Sequence, residues 1–242
     1  MLKLLKALLL QKNQLIKDIK NTKMRENFKG RPEVNFSICT GCNICGEGCP
    51  SNAIEKGKID LGKCVFCLEC ERNCPQSVIK FTANNKMGAT IRENLIINDK
   101  IEPIKAKEEI NRVFGHSLKL RQVSAGGCNS CEMELNATSN ANFDMGRFGI
   151  EFVASPRHAD GIVITGPITK NMAKALEDTY QAIPEPKIII LVGTCAISGG
   201  IYQNSAELNR DFLQKHKIDL YIPGCPPHPL VIINAILDFI KK

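Results

Sequence analysis

The chain has no apolar stretch approaching the roughly eighteen consecutive residues that a membrane-spanning helix requires, so nothing in it reads as a span. Neither G-x4-G-K-[ST] nor G-x-G-x-x-G occurs, although residues 193–200 are glycine-rich; no nucleotide or flavin is expected. No C-x-x-C pair is followed by His, which excludes c-type haem attachment. The short apolar run at 8–10 is too brief for the core of a secretory leader, and without export a disulfide framework has no oxidising compartment to form in. Net positive charge is missing from most of the chain. The formal charge is +7, but nine Lys/Arg against Asp18 and Glu26 within residues 1–31 account for all of it. With no motif combining basic and aromatic residues, no nucleic-acid partner is expected.

Cysteine, by contrast, is abundant, with twelve in 242 residues. Eight fall in two runs, Cys39-Thr-Gly-Cys42-Asn-Ile-Cys45-Gly-Glu-Gly-Cys49-Pro50 and Cys64-Val-Phe-Cys67-Leu-Glu-Cys70-Glu-Arg-Asn-Cys74-Pro75. Both read C-x2-C-x2-C-x3-C-P, the spacing that holds cubane iron–sulfur groups in two-cluster ferredoxins. The second run repeats the first at a fixed offset, so one unit is used twice. Three thiolates within seven residues can cap three corners of a cube, and the fourth must come from elsewhere; in such ferredoxins it comes from the other run. The predicted sets are therefore Cys39, Cys42, Cys45 and Cys74 for one [4Fe-4S] cluster, and Cys64, Cys67, Cys70 and Cys49 for the other. A structural zinc site has no use for the third Cys of each run.

Residues 2–20 carry Leu2, Leu5, Leu9, Ile16 and Ile19 near helical spacing among lysines. This predicts a basic amphipathic helix in an arm spanning 1–31, able to dock on a partner, lie on an anionic membrane face or pack on its own protein. The two-cluster module should occupy 32–82, and 83–117 reads as a linker with one or two short strands and a helix at 106–114. From residue 118 to 242 apolar runs at 118–123, 150–154, 161–165, 187–193 and 218–223 alternate with helical spacing at 170–183, 206–216 and 229–240, predicting a wound parallel α/β sheet. The remaining cysteines, Cys128, Cys131, Cys195 and Cys225, all follow predicted strands, where open α/β sheets bind their ligands. Taken alone they could serve zinc or remain idle thiols; beside a two-cluster module they are assigned to a third [4Fe-4S] cluster. Glu132 reads either as a proton-relay carboxylate or as a helix N-terminal charge, and Arg157 and His158 either as hydrogen-bond donors to the third cluster or as ordinary loop residues.

These motifs resemble known proteins. Phe28-Lys-Gly-Arg-Pro32 and the paired cysteine runs resemble the two-cluster ferredoxin subunit of complex I and formate hydrogenlyase. Ala125-Gly-Gly-Cys-Asn-Ser-Cys-Glu132, Ser155-Pro-Arg-His-Ala-Asp160, Gly193-Thr-Cys-Ala196 and Tyr221-Ile-Pro-Gly-Cys-Pro-Pro227 resemble the B-subunit family of complex I and, more closely, the small subunit of membrane-bound, group 4-type [NiFe] hydrogenases. Quinone-reducing complex I has two adjacent cysteines where Cys128 and Cys131 here stand two residues apart, the hydrogenase form. The resemblance implies a fusion: an α+β two-[4Fe-4S] ferredoxin module followed by an α/β flavodoxin-like parallel-sheet domain holding one [4Fe-4S] cluster. It further implies a non-catalytic electron-transfer subunit of an oxidoreductase, peripheral on the cytoplasmic side of the membrane. Its partners would be a nickel–iron large subunit, the other subunits of a membrane-bound complex, and a ferredoxin or formate dehydrogenase as donor. The alternatives are the iron–sulfur subunit of a complex I-related quinone or other acceptor oxidoreductase, and a free ferredoxin-like carrier.

Overall fold

The structure, a computed structural model, describes residues 6, 14–55, 57–97, 104, 108–114 and 117–241. Its N-terminal part is built on two small antiparallel pairs. Strand β1 (Pro32–Val34) pairs with β4 (Ile79–Phe81), and the hairpin strands β2 (Ile54–Glu55) and β3 (Lys58–Ile59) pair in register Ile54↔Ile59. Between them each cysteine run forms one short helix, α1 (Ile44–Glu47) or α2 (Glu69–Arg72). Elements this small bury little apolar surface, so the segment depends on what it packs against.

The C-terminal part is a five-stranded sheet, all parallel, in the order β6-β5-β7-β8-β9. Its strands are β5 (Leu118–Ser124), β6 (Ile150–Phe152), β7 (Gly161–Thr165), β8 (Ile188–Val192) and β9 (Leu220–Ile222). Relabelled from the first strand of the sheet this is 2-1-3-4-5, the flavodoxin-like order; the alternation of strand and helix signals predicts the wound parallel sheet, and the family resemblance its flavodoxin-like form. Every residue of β7 and β8 is buried, as in strands covered by helices on both faces. Helix α4 (Ser130–Ala137) packs with α8 (Pro229–Phe239), while α5 (Lys170–Gln181) and α7 (Asp211–Lys215) meet through Tyr180, Phe212 and His216. A further short helix, α6 (Thr194–Ser198), follows β8 directly.

Helix α8 has ten of its eleven residues buried. A helix apolar all round must be covered all round, and part of its cover is the N-terminal arm. Ile19 is 2% exposed, its carbonyl accepts from Asn234 Nδ2 at 3.3 Å, and Lys20 pairs with Asp238 at 3.2 Å. The Ile16 N–H donates to the Asn142 carbonyl at 2.9 Å. Residues 14–20 are therefore bends and a turn, not the expected helix, because their backbone is engaged by the protein's own loops rather than by a helical ladder. Most of the predicted amphipathic helix lies outside the described residues.

The stretch expected to be a linker contains no named strand among its described residues; it is instead sewn to both halves. Leu61 donates to the Leu95 carbonyl at 2.9 Å and Ile97 to the Ile59 carbonyl at 2.7 Å, extending the β3 hairpin. Ala89 and Tyr221 exchange hydrogen bonds of 3.0 and 2.8 Å, adding one rung to the exposed edge of β9. Arg92 grips Asp60 through both oxygens at 2.8 and 2.6 Å, and the C-terminal segment of this stretch is α3 (Glu108–Phe114). The sequence could not reveal this because isolated rungs have no period to read. The predicted helix at 206–216 shortens to α7, the strand at 150–154 ends at Phe152, and α4 and α6 are too short or too weakly amphipathic for periodicity to show.

Candidate metal centres

The same local geometry recurs at three of the five C-x-x-C pairs, Cys42/Cys45, Cys67/Cys70 and Cys128/Cys131. The residue after the leading cysteine, Asn43, Leu68 or Asn129, adopts the left-handed conformation (φ 61°, 69° and 68°), and a helix starts at the next residue, carrying Cys45, Cys70 or Cys131. A left-handed residue reverses the chain within one step, so that both thiols of a pair face the same side. In the two N-terminal runs the correspondence continues. Asn52 and Ser77 both have positive φ, and peptide N–H groups of Ala53 and Val78 point at Cys49 Sγ and Cys74 Sγ, each at 3.3 Å. Where the first run has Gly41 the second has Phe66, held at φ 56° by burial against Phe81 with ring centroids 6.0 Å apart.

Cys39, Cys42, Cys45 and Cys74 line one cavity of about 630 Å³, with Ile44, Ile54, Val78 and Ile79 as its apolar wall. Cys49, Cys64, Cys67 and Cys70 line another that is far narrower, about 10 Å³, closed by Ile59 and Phe81. The crossed arrangement, with Cys49 among the second run's thiols and Cys74 among the first's, follows from where each run ends. Each fourth Cys sits past its helix, on the side facing the other run.

The third set assembles at the C-terminal ends of β5, β8 and β9. Cys128 and Cys131 flank the start of α4, Cys195 lies in α6, and Cys225 follows β9. Since β7 stands between β5 and β8, the β5 loop must pass closely over its end, and paired glycines permit this. A Cβ on Gly166 would lie 2.6 Å from Gly127 N. A Cβ on Gly193 would meet Cys131 Sγ at 2.5 Å, so only glycine lets β8 end beside that thiol.

Each set brings four thiols together, and the Glu132 carboxylate stands beside the third. Burial is the main cause that raises Cys64 and Cys70 to about 12, Cys195 to about 11, and Cys45, Cys131 and Cys225 above the ordinary thiol range. Neighbouring groups add to the rise: Cys49 and Cys67 act on Cys70, Cys74 and Cys39 on Cys45, and Glu132, then Cys195, Cys225 and Cys128, on Cys131. Cys128 alone is shifted downward, because Ser130 bonds it at 3.4 Å. Bare thiolates cannot crowd together in this way; a strongly cationic centre reverses the balance and deprotonates its ligands outright. None of the twelve cysteines forms a disulfide. Among the described residues no three His, Cys, Asp or Glu side chains converge on a single-ion site, where sulfur ligands stand about 2.3 Å from the metal. The donor chemistry and crowding fit polynuclear iron–sulfur groups.

The sites are connected. Thr194, 1% exposed, donates its hydroxyl to the Cys64 carbonyl at 2.7 Å, and its N–H bonds the Gly224 carbonyl at 3.0 Å. One residue thus ties together backbone next to Cys64, Cys195 and Cys225. Gln203 adds a second tie, to the Ser51 carbonyl at 3.3 Å. Exposure grades along the series: Cys39 and Cys42 are exposed, Cys64 and Cys70 buried, Cys128 and Cys225 exposed again.

Glu132 is buried and accepts from the Thr165 hydroxyl at 2.5 Å on the first turn of α4. Arg157 and His158 are exposed on a 3-10 turn, Pro156–His158, after the edge strand β6, away from β8 and β9. The cation that does approach the third set is Arg210, which the sequence did not single out. It lies far from any cysteine along the chain and belongs to no motif. Beside Cys225 opens a cavity of about 650 Å³ with Met24, Phe28, Phe66, Phe143 and Leu230 on its apolar side, and with Lys23, Arg25, Lys29, Glu134 and His228 among its polar and charged groups. Burial raises the Glu134 carboxyl and lowers the His228 imidazole.

Residues 128–239 match the family described as NADH ubiquinone oxidoreductase, 20 Kd subunit, a span that contains all four cysteines of the third set. The chain is 33% identical over 134 residues to “Probable membrane-bound hydrogenase subunit mbhJ” of Pyrococcus furiosus, covering 55% of this chain and 80% of that protein. The chain belongs to the 20 Kd subunit family. Two further relatives are each similar to about half of this chain. The NADH-quinone oxidoreductase B subunit of Citrifermentans bemidjiense is 40% identical over 116 residues, 48% of this chain and 68% of that one. Formate hydrogenlyase subunit 7 of Escherichia coli is 38% identical over 135 residues, 56% and 52% of the two chains. Ahead of the 20 Kd subunit region, residues 32–55 match a 4Fe-4S binding domain that takes in Cys39, Cys42, Cys45 and Cys49.

Proposed function

We propose that this chain is the electron-transfer subunit of a membrane-associated [NiFe] hydrogenase of the formate hydrogenlyase type, a ferredoxin module fused to a hydrogenase small subunit. Cys39, Cys42, Cys45 and Cys74 would hold one [4Fe-4S] group, Cys64, Cys67, Cys70 and Cys49 the second, and Cys128, Cys131, Cys195 and Cys225 the third. When bound, such groups supply one-electron exchange. The chain's own residues space them, exclude water from the middle one and leave an end accessible to a partner on either side. The observation that carries this reading is the arrangement itself: three four-thiol sets in series, the middle one buried, and Thr194 bonding the second to the third. The names of two relatives support the hydrogenase branch, as does the spacing of Cys128 and Cys131. All twelve cysteines are used in this scheme, so the nickel–iron site belongs to a separate large subunit. Among the described residues no helix is long and apolar enough to cross a membrane, in keeping with a peripheral position, which we put on the cytoplasmic face.

A second reading, a complex I-related oxidoreductase reducing a quinone or other acceptor, is favoured by the cavity beside Cys225, which has the volume of a small-molecule site and sets aromatic residues against charged ones. Nickel and iron content of the anaerobically purified native complex, measured with H2-dependent dye reduction on the same sample, separates the two. Nickel with H2 activity is the expected result. Abundant iron without either puts the acceptor oxidoreductase first.

A further inference from the structure

We propose that Arg210 is the fixed counter-cation of the third four-cysteine site and raises the reduction potential of the [4Fe-4S] group held there, an inference that rests on the three-site reading. Arg210 stands just before α7, and its guanidinium turns back beneath α6. Nη1 donates to the Pro167 and Cys195 carbonyls at 2.9 and 3.2 Å, and Nη2 to the Ala196 and Ile197 carbonyls at 2.8 and 3.0 Å. All four acceptors are neutral. Among the described residues no carboxylate lies within ion-pair distance of it. A guanidinium cannot release its proton inside a protein, so Arg210, half-buried against α6, keeps a full positive charge beside the Cys195 turn. The bond to the Cys195 carbonyl fixes the guanidinium on the turn of chain from which that thiol projects.

The chemistry gives this pairing a consequence. Adding one electron to a thiolate-ligated group makes it more negative, so a nearby fixed cation favours the reduced form and raises the potential. The cation is held by the very turn of chain that carries Cys195. A merely structural role, capping the last carbonyls of α6, would leave the potential alone.

The test is a redox titration, followed by electron paramagnetic resonance, of the anaerobically purified full chain with its iron in place. In R210Q the third signal should fall by a tenfold change in the one-electron equilibrium, about 59 mV, while the other two signals stay where they are. R210K, which retains the charge, should remain close to the wild type. Should R210Q fail to accumulate with iron, R210M is titrated in its place with the same expectation. An unchanged midpoint in the neutral variant, or equal falls in R210K and R210Q, overturns the proposal. A wild-type protein that shows no third signal instead overturns the three-site reading beneath it.

Discussion

At the scale of the single residue, backbone conformation decides more than side-chain chemistry. The left-handed residues after Cys42 and Cys128 are asparagines, the residue type that tolerates this region best after glycine. Asn43→Val and Asn129→Val should each cost about 1–2 kcal/mol, whereas Asn→Gly should be close to neutral; denaturant unfolding of the iron-loaded chain reads both. His228, in contrast, acts through its side chain. It caps α8 by accepting the Leu230 N–H on Nδ1 at 3.1 Å, while Phe28 and Phe143 press on its ring with centroids 5.7 Å away. Burial lowers its pKa, so the unfolded chain binds the proton more tightly. Its contribution is therefore complete above the unfolded value of about 6.5 and is lost as pH falls through the lower folded value. His228→Asn keeps an N-cap acceptor and should flatten that part of the stability–pH curve; an unaltered slope would rule His228 out as its source.

At the scale of elements, the joint between the two halves rests on α6 meeting the loop before Cys67. Gly62 lies so close that a Cβ there would stand 2.8 Å from Ile197 Cγ2, and Thr194 supplies the buried hydrogen bond across the contact. Thr194→Val keeps the shape but leaves the Cys64 carbonyl without that donor, at a cost of about 1–3 kcal/mol. Hydrogen exchange should then quicken around residues 60–66 and 194–198 and spare β7. Thr194→Ser, which keeps the hydroxyl, should lie nearer the wild type. Faster exchange spread evenly over the sheet would instead indicate general destabilisation. Such contacts were not legible beforehand, because Thr194 and Cys64 stand 130 positions apart and neither residue's type signals the other.

At the scale of the whole molecule, the crossed sets make a distinctive prediction. Cys74→Ser, though it changes the second run, should damage the signal of the site built on Cys39, Cys42 and Cys45. Cys49→Ser should damage the other. Resonance spectra of the two variants check this, and the reverse assignment would mean that each run closes on itself. Cys128→Ser should spare both N-terminal signals and abolish H2 turnover in the assembled complex; unchanged turnover would sink the proposed route.

The sequence by itself determined the local matters. Spacing within a few residues specified the repeated cysteine unit, and five apolar runs located the five strands of the parallel sheet to within a few residues, because strand burial leaves a continuous apolar signature. The crossing of Cys49 and Cys74 was expected from the likeness of both runs to those of two-cluster ferredoxins. What only the tertiary structure decided concerns groups brought together from far apart: Arg210 under α6, Thr194 against Cys64, and the apparent linker stitched to β3 and β9. The arm shows the same division. Its hydrophobic spacing suggests a helix, but Ile16 and Ile19 are claimed by the loop at Asn142 and by α8, since hydrogen bonds to those partners replace the local ladder. Periodicity records what a segment can bury, while the partner that buries it is chosen by the fold.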